Sequence, residues 1–313
     1  MKNNFLNSLL LLIVLAFTGC DNYYKNDYQD NSPTSGQLKV FHEEGLNLHV
    51  KNQLYTFAVQ YPGSKCESIV AFENECIKAL YDDSCKAIMI NRLLSENEKK
   101  LFAQKQLNPR YSAMAKTGVA LIVNSQTKIK TLSTEQIKKL LSDELIVKDS
   151  AGTEIKLIAI TDNKQSSVSL YLRDSLLAQK SFGKNCFAVE SSLELIEKIA
   201  NTPNAIGFLD FAWLSDKDDE LYKKYQNKIH FISVGKDNTV YFEPNQSSFK
   251  TGEYPFTRTI YFIRRSEDFT LSQGLETFMA GPKGQMTFLK QGLLPARQQE
   301  RVIEINMAPL NAE

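Results

Sequence analysis

Three short polar clusters each follow an apolar run: Glu43-Glu44-Gly45, Asn91-Arg92, and the stretch Thr161-Asp162-Asn163-Lys164-Gln165-Ser166-Ser167. Ser166 and Ser167 stand where a helix begins. Their hydroxyls and N–H groups could cradle the oxygens of an oxyanion, or serve only as helix N-caps. Arg92 could present a two-pronged fork to an anion; the alternative is an ordinary pairing with a nearby carboxylate such as Glu96. A fixed carboxylate at Glu43 or Glu44 would accept the proton of a protonated oxyanion and repel a fully ionised one such as sulfate, or both acids are solvated loop residues. The candidate ligand set is therefore Glu44, Gly45, Arg92, Gln165, Ser166 and Ser167. Catalysis has no support, since there is no G-x-S-x-G elbow, H-E-x-x-H, P-loop or G-x-G-x-x-G. His42, His49 and His230 are isolated, so no metal ligand set and no cofactor is expected, and Asp216 to Glu220 reads as a solvated loop.

The elements that must position these clusters alternate. Leu38–His42 reads as a strand and Leu46–Val59 as a helix ending at Tyr61-Pro62-Gly63. Ser68–Phe72 is the next strand, Glu75–Tyr81 a helix and Lys86–Ile90 a third strand. Thr117–Val123 and Ile155–Ile160 are apolar strands flanking a helix from Ser133 to Leu141. Helices at Ser166–Leu177 and Ser191–Ala200 precede a strand at Ala205–Leu209. Gly252–Ile263 is a turn running into a strand, and Leu271–Ala280 is a helix. Such alternation implies a mainly parallel sheet with helices on both faces, and ligands of such sheets lie beyond the carboxyl ends of the strands.

The start of the chain reads as an export signal: Lys2, an apolar run from Phe5 to Phe17, then Thr18-Gly19-Cys20. The run is too short for a comfortable membrane span. The pattern resembles a bacterial lipobox, which implies cleavage before Cys20 and acylation of its thiol. Residues 20–36 carry no apolar period and are expected to be a flexible tether. The remaining length suffices for two lobes with cores. The 37 basic residues nearly balance the 36 acidic ones, so nothing would generate the cationic field that nucleic acid needs. Cys66, Cys76, Cys85 and Cys186 could form disulfides in an exported chain or lie buried as small hydrophobes.

In order and spacing these segments resemble the phosphate-binding proteins of bacterial ABC importers, especially short lipoprotein versions typical of Bacteroidetes-like bacteria. The likeness rests on Gly252-Glu253-Tyr254-Pro255-Phe256-Thr257-Arg258-Thr259-Ile260-Tyr261, on Gly284-Gln285 with Gly292-Leu293-Leu294-Pro295, on Ile90-Asn91-Arg92-Leu93 and on Ala205-Ile206-Gly207-Phe208. It implies a two-lobed α/β periplasmic-binding-protein fold (type II) joined by two crossing strands: residues 37–115 with 255–313 in one lobe, 116–254 in the other, the ligand between them. It places Ser166 and Ser167 where relatives show Ser-Gly-Thr, and Glu43-Glu44 where the subgroup shows Asp-Glu-Ser. Two positions depart from the family pattern: Thr161 replaces an Arg before the serine loop, and Cys85-Lys86 replaces a proton-accepting Asp. The implied function is a monomeric, lipid-anchored, non-enzymatic receptor of the cell envelope that captures phosphate or a similar oxyanion for ABC permease subunits. The competing implication is a surface or assembly lipoprotein that reuses the fold with a lost or altered ligand site.

Overall fold

The computed structural model describes residues 31–142, 145–148, 154–265 and 268–297. The export signal, Cys20, the tether as far as residue 30 and residues 298–313 lie outside the described residues.

In the first lobe, strands β1 (Ser35–His42), β2 (Ser64–Val70) and β3 (Ala87–Ile90) are parallel, with β1 in the middle. Helices α1 (Asn47–Gln60) and α2 (Glu73–Tyr81) make the crossovers. After α3 (Glu96–Gln104) the chain enters β4 (Arg110–Asn124), whose first half belongs to this sheet and whose second half belongs to the next. The second lobe adds α4 (Thr134–Ser142), β5 (Glu154–Thr161), α5 (Ser167–Tyr171), β6 (Cys186–Ala188), α6 (Ser192–Asn201) and β7 (Ala205–Asp210). Strands β5, β6 and β7 run parallel and β7 pairs antiparallel with β4. The chain then passes through α7 (Glu220–Tyr225), β8 (Ile229–Phe231) and α8 (Gln246–Thr251). It returns along β9 (Thr257–Arg264), antiparallel to both β3 and β4. One crossing between lobes is thus the continuous strand β4; the other is the return through α8 and the turn at Gly252, which takes a left-handed φ of 72°. Helices α9 (Leu271–Ala280) and α10 (Pro282–Lys290) close the first lobe.

Strand β7 is buried at all six positions, as expected of a parallel strand covered on both faces. Burying each Ile, Leu or Phe there stabilises the lobe by about 1.5–3 kcal/mol. Gly207 is the close-approach point, because a Cβ there would lie 2.7 Å from both Ile199 Cγ1 and Leu195 Cδ2 of α6.

Two expectations change, and one left open is decided. The sheet begins before Gln37: β1 starts at Ser35 and Asn31–Ser32 pairs back on it, so the last residues assigned to the tether are sheet. The helix expected over 166–177 is α-helical only to Tyr171 and continues as a wider π turn through Leu176. The four cysteines are free thiols, Cys76 and Cys85 buried and the other two half-buried; burial pushes the Cys66 thiol up to about 11 and those of Cys85 and Cys186 to about 12. No helix of the described residues is long and apolar enough to cross a membrane.

Candidate ligand cleft

The strand ends expected to carry a site do meet, between the lobes. Glu43, Glu44 and Gly45 follow β1, Glu73 opens α2, Asp162 and Asn163 follow β5, Ser166 and Ser167 open α5, Ser192 opens α6, and Asp210 ends β7 next to Trp213. Helix amino ends from both lobes therefore point at one place, where free N–H groups and the helix dipoles favour negative charge. The free space there is about 30 Å³, room for about two waters.

The cleft floor is a polar hub around Asp210. Its carboxylate accepts from Thr117 Oγ1 at 2.6 Å, Asn91 Nδ2 at 2.9 Å and the Ala212 N–H at 2.9 Å, and pairs with Arg258. Arg258 also donates to Ser167 O at 3.2 Å and Ser167 Oγ at 3.1 Å. It is buried and its guanidinium lies over the Tyr171 ring, 5.6 Å from the centroid. Asn91 joins the first lobe to this hub, its backbone N–H and Nδ2 each donating to Glu43 at 3.2 Å.

Burial, reinforced by the charge of Glu73, raises the Glu43 carboxyl to about 8, against the pull of Arg258 and the Ser167 hydroxyl. Behind it burial lowers the pKa of His42, which contacts Ser68 Oγ at 2.6 Å and the Glu43 carbonyl at 2.8 Å.

On the second lobe, burial raises Asp162 to about 6 although the hydroxyls of Ser166, Ser192 and Ser169 hold it down. Asp162 accepts from Ser166 Oγ, from Ser169 Oγ at 3.3 Å and from Ser192 Oγ at 3.1 Å. Glu44 reaches across from the first lobe to the same residue, accepting from Ser192 N at 3.4 Å and Ser192 Oγ at 3.3 Å. The walls thus carry Glu43, Glu44, Glu73, Asp162 and Asp210, and the buried cation Arg258 stands behind them, paired with Asp210. Among the described residues no cluster of His, Cys, Asp or Glu is arranged to hold a metal ion.

Of the candidate residues, Glu44, Gly45, Ser166 and Ser167 line the cleft. Ser166 is also a true N-cap, accepting from the Ser169 N–H at 3.1 Å. Gly45 lets the first loop approach, because a Cβ there would meet Asp210 Cβ at 3.0 Å. Two expectations fail. Arg92 is not among the lining residues: its Nε pairs with Glu73, and its two terminal nitrogens fork onto Glu98 at 2.7 and 3.0 Å. The carboxylate that claims it is Glu98, not Glu96, which instead pairs with Lys99 at 2.8 Å. Gln165 lies outside the lining, exposed, with its N–H turned onto Asn163 Oδ1 at 2.9 Å. The residues not singled out from sequence are Glu73, Asp162, Ser192, Asp210, Trp213 and Arg258.

Two buried donors beside this cleft have no acceptor among the described residues, the indole N–H of Trp213 and the Nε–H of Arg258. A buried donor without a partner costs about 1–3 kcal/mol.

A profile of the PBP superfamily domain matches residues 32–280, and the chain belongs to that superfamily. Among curated proteins, the phosphate-binding protein PstS of Borreliella burgdorferi is 22% identical over 238 residues, covering 71% of this chain and 81% of that protein. Among solved structures, a putative phosphate ABC transporter substrate-binding protein from Clostridium perfringens, with bound phosphate, superposes with a TM-score of 0.68 at 16% identity, covering 84% of this chain and all of that one. An ABC-type phosphate transport receptor from Vibrio cholerae gives 0.64 at 14% identity, with 83% and 100% covered. The regulatory domain of CcmR from Synechocystis, in complex with 2-PG, also matches, at 0.54 and 12% identity over 79% of this chain and 97% of that one. These relatives are binding and regulatory domains, and the fold is common to both uses.

Proposed function

We propose that this protein is a non-enzymatic solute receptor that captures a protonated oxyanion, phosphate first, between its lobes and delivers it to an ABC permease, tethered to a membrane by an acyl group on Cys20. One observation carries the reading: helix amino ends from both lobes converge on a cleft whose buried carboxyls, Glu43 and Asp162, have raised pKa values. The helix ends and the unpaired donors suit the oxygens of an anion. The carboxyls suit its proton, since an ionised carboxylate beside a hydrogen-bearing oxyanion accepts that hydrogen, whereas sulfate brings none and meets repulsion unless the carboxyl is itself protonated. The PstS relatives support phosphate as the ligand. Glu43 and Asp162 supply the acidic acceptor that Cys85-Lys86 lacks, and Arg258 supplies a guanidinium where Thr161 does not.

The test is thermal unfolding with millimolar phosphate, arsenate or sulfate. Phosphate at a hundred times its dissociation constant should add about 2.7 kcal/mol of stability, and sulfate less. No shift with any of the three refutes the oxyanion reading in favour of an interaction lipoprotein. The anchor is tested separately: Cys20→Ser should release the protein from the membrane fraction, and unchanged fractionation with no acyl group on Cys20 refutes it.

A further inference from the structure

The cleft holds a contact that its polar accounting does not balance. Ser192 Oγ lies 3.1 Å from Asp162 Oδ2 and 3.3 Å from Glu44 Oε2, and it carries a single hydrogen. Given to Asp162, that hydrogen leaves the hydroxyl oxygen facing a Glu44 carboxylate with only the Ser192 N–H, at 3.4 Å, between them. Given to Glu44, it leaves Asp162 Oδ2 facing the same lone pairs. The contact is satisfied when one of the two acids is protonated and donates. Glu44 stands on the first lobe, Asp162 and Ser192 on the second, so the arrangement exists only while the cleft is shut.

We propose that Glu44 and Asp162, meeting on the one hydroxyl of Ser192, share a single proton and form a latch that holds the lobes together in the absence of ligand and that an arriving anion displaces. Opening separates the pair and hydrates both acids, so closure takes up a proton and acid favours the shut form. The surroundings agree in sign. The other ionisable groups lining the cleft are Glu43 after β1, Glu73 on α2 and Asp210 at the end of β7; Arg258 on β9 lies behind the lining, engaged by Asp210 and Ser167. Around the pair, acids outnumber cations. The free space there is about 30 Å³, and Glu44 is one of the residues that line it. The significance of the latch for uptake rests on the oxyanion reading; its existence does not.

The chain has a single tryptophan, Trp213, in this cleft, which reports opening directly. Acrylamide quenching of its fluorescence is measured on the ligand-free protein from pH 4 to 8, with small-angle scattering as a second measure of lobe separation. In the wild type Trp213 should be most shielded at pH 4 and become more accessible as pH rises to about 6, the value to which Asp162 is raised. Glu44→Gln brings its own hydrogens and no charge, so its cleft should stay shut to pH 8; Asp162→Asn should do the same, and thermal melts establish that both fold. A flat wild-type profile, or an unchanged transition in both variants, overturns the latch. Phosphate added to the same samples separates the two claims. A pH transition without any phosphate response overturns only the oxyanion reading, and a phosphate response without the transition overturns only the latch.

Discussion

Asp210 and Asp162 end neighbouring parallel strands, β7 and β5, and both are buried, at 3% and 4% exposure. Their surroundings differ in kind. Asp210 is given a guanidinium, an amide, a hydroxyl and a backbone N–H, so its charge is matched where it stands. Asp162 is given hydroxyls alone, and burial, helped by the Glu44 charge across the cleft, raises its pKa against them. Position on the sheet makes each a candidate for function; the partners set them apart. A buried charge with a counter-ion fixes geometry, whereas one held only by hydroxyls can exchange a proton with a ligand or with the other lobe.

The largest test of this contrast is Asp210→Ala. It strands the Arg258 charge in the interior and should cost about 3–5 kcal/mol, read as a lower midpoint in urea unfolding; a loss near zero would mean that the hub is not structural.

Asp162→Asn should act through pH. An acid raised in the folded state binds its proton more tightly there than in the unfolded chain. Its stabilising contribution is therefore complete below the ordinary Asp value and is lost as pH rises to about 6. The wild-type fold should lose up to about 3 kcal/mol between pH 4 and 6 from this group, and Asp162→Asn should remove that part of the slope. Glu43, raised to about 8, should leave a second decline reaching to pH 8 in that variant. Unfolding midpoints across pH 4 to 9 would expose a slope that does not depend on Asp162.

Arg92→Ala should do least. The side chain is about a third exposed and braces α2 against α3 through Glu73 and Glu98, so the expected loss is about 1 kcal/mol or less. Phosphate affinity should stay unchanged; a large loss of affinity would return Arg92 to the site.

Much of the fold is legible because strands and helices alternate with clean periodicity; Leu271–Ala280 forms the helix that the sequence predicts. The first half of β4 escaped because Arg110–Lys116 lacks the apolar run of its second half. Strand ends and helix starts pointed to Glu44, Gly45, Ser166 and Ser167, which line the cleft. The Arg92 error has the same origin: a position at a strand end says nothing about which way a long side chain turns, and two helix carboxylates claimed it. Arg258 was legible in principle. Within Thr-Arg-Thr-Ile-Tyr-Phe it is in phase with Ile260 and Phe262, the inward-facing residues of β9, and a charge on the buried face of a strand calls for a partner. Asp162 and Asp210 carried a similar signal, each an acid closing an apolar strand. Ser192 carried the helix-start signal of Ser166, whereas Trp213 offered none, because only the tertiary fold brings it to the cleft.

The central claim is that the cleft captures an oxyanion together with a proton. Calorimetric titration of phosphate into the protein at pH 8, repeated in two buffers of different ionisation enthalpy, measures binding and proton exchange together. One phosphate per chain should bind saturably with net proton uptake, because a new negative charge beside Glu43 and Asp162 raises their pKa values further. Absence of saturable heat, or binding with no proton taken up, would contradict it.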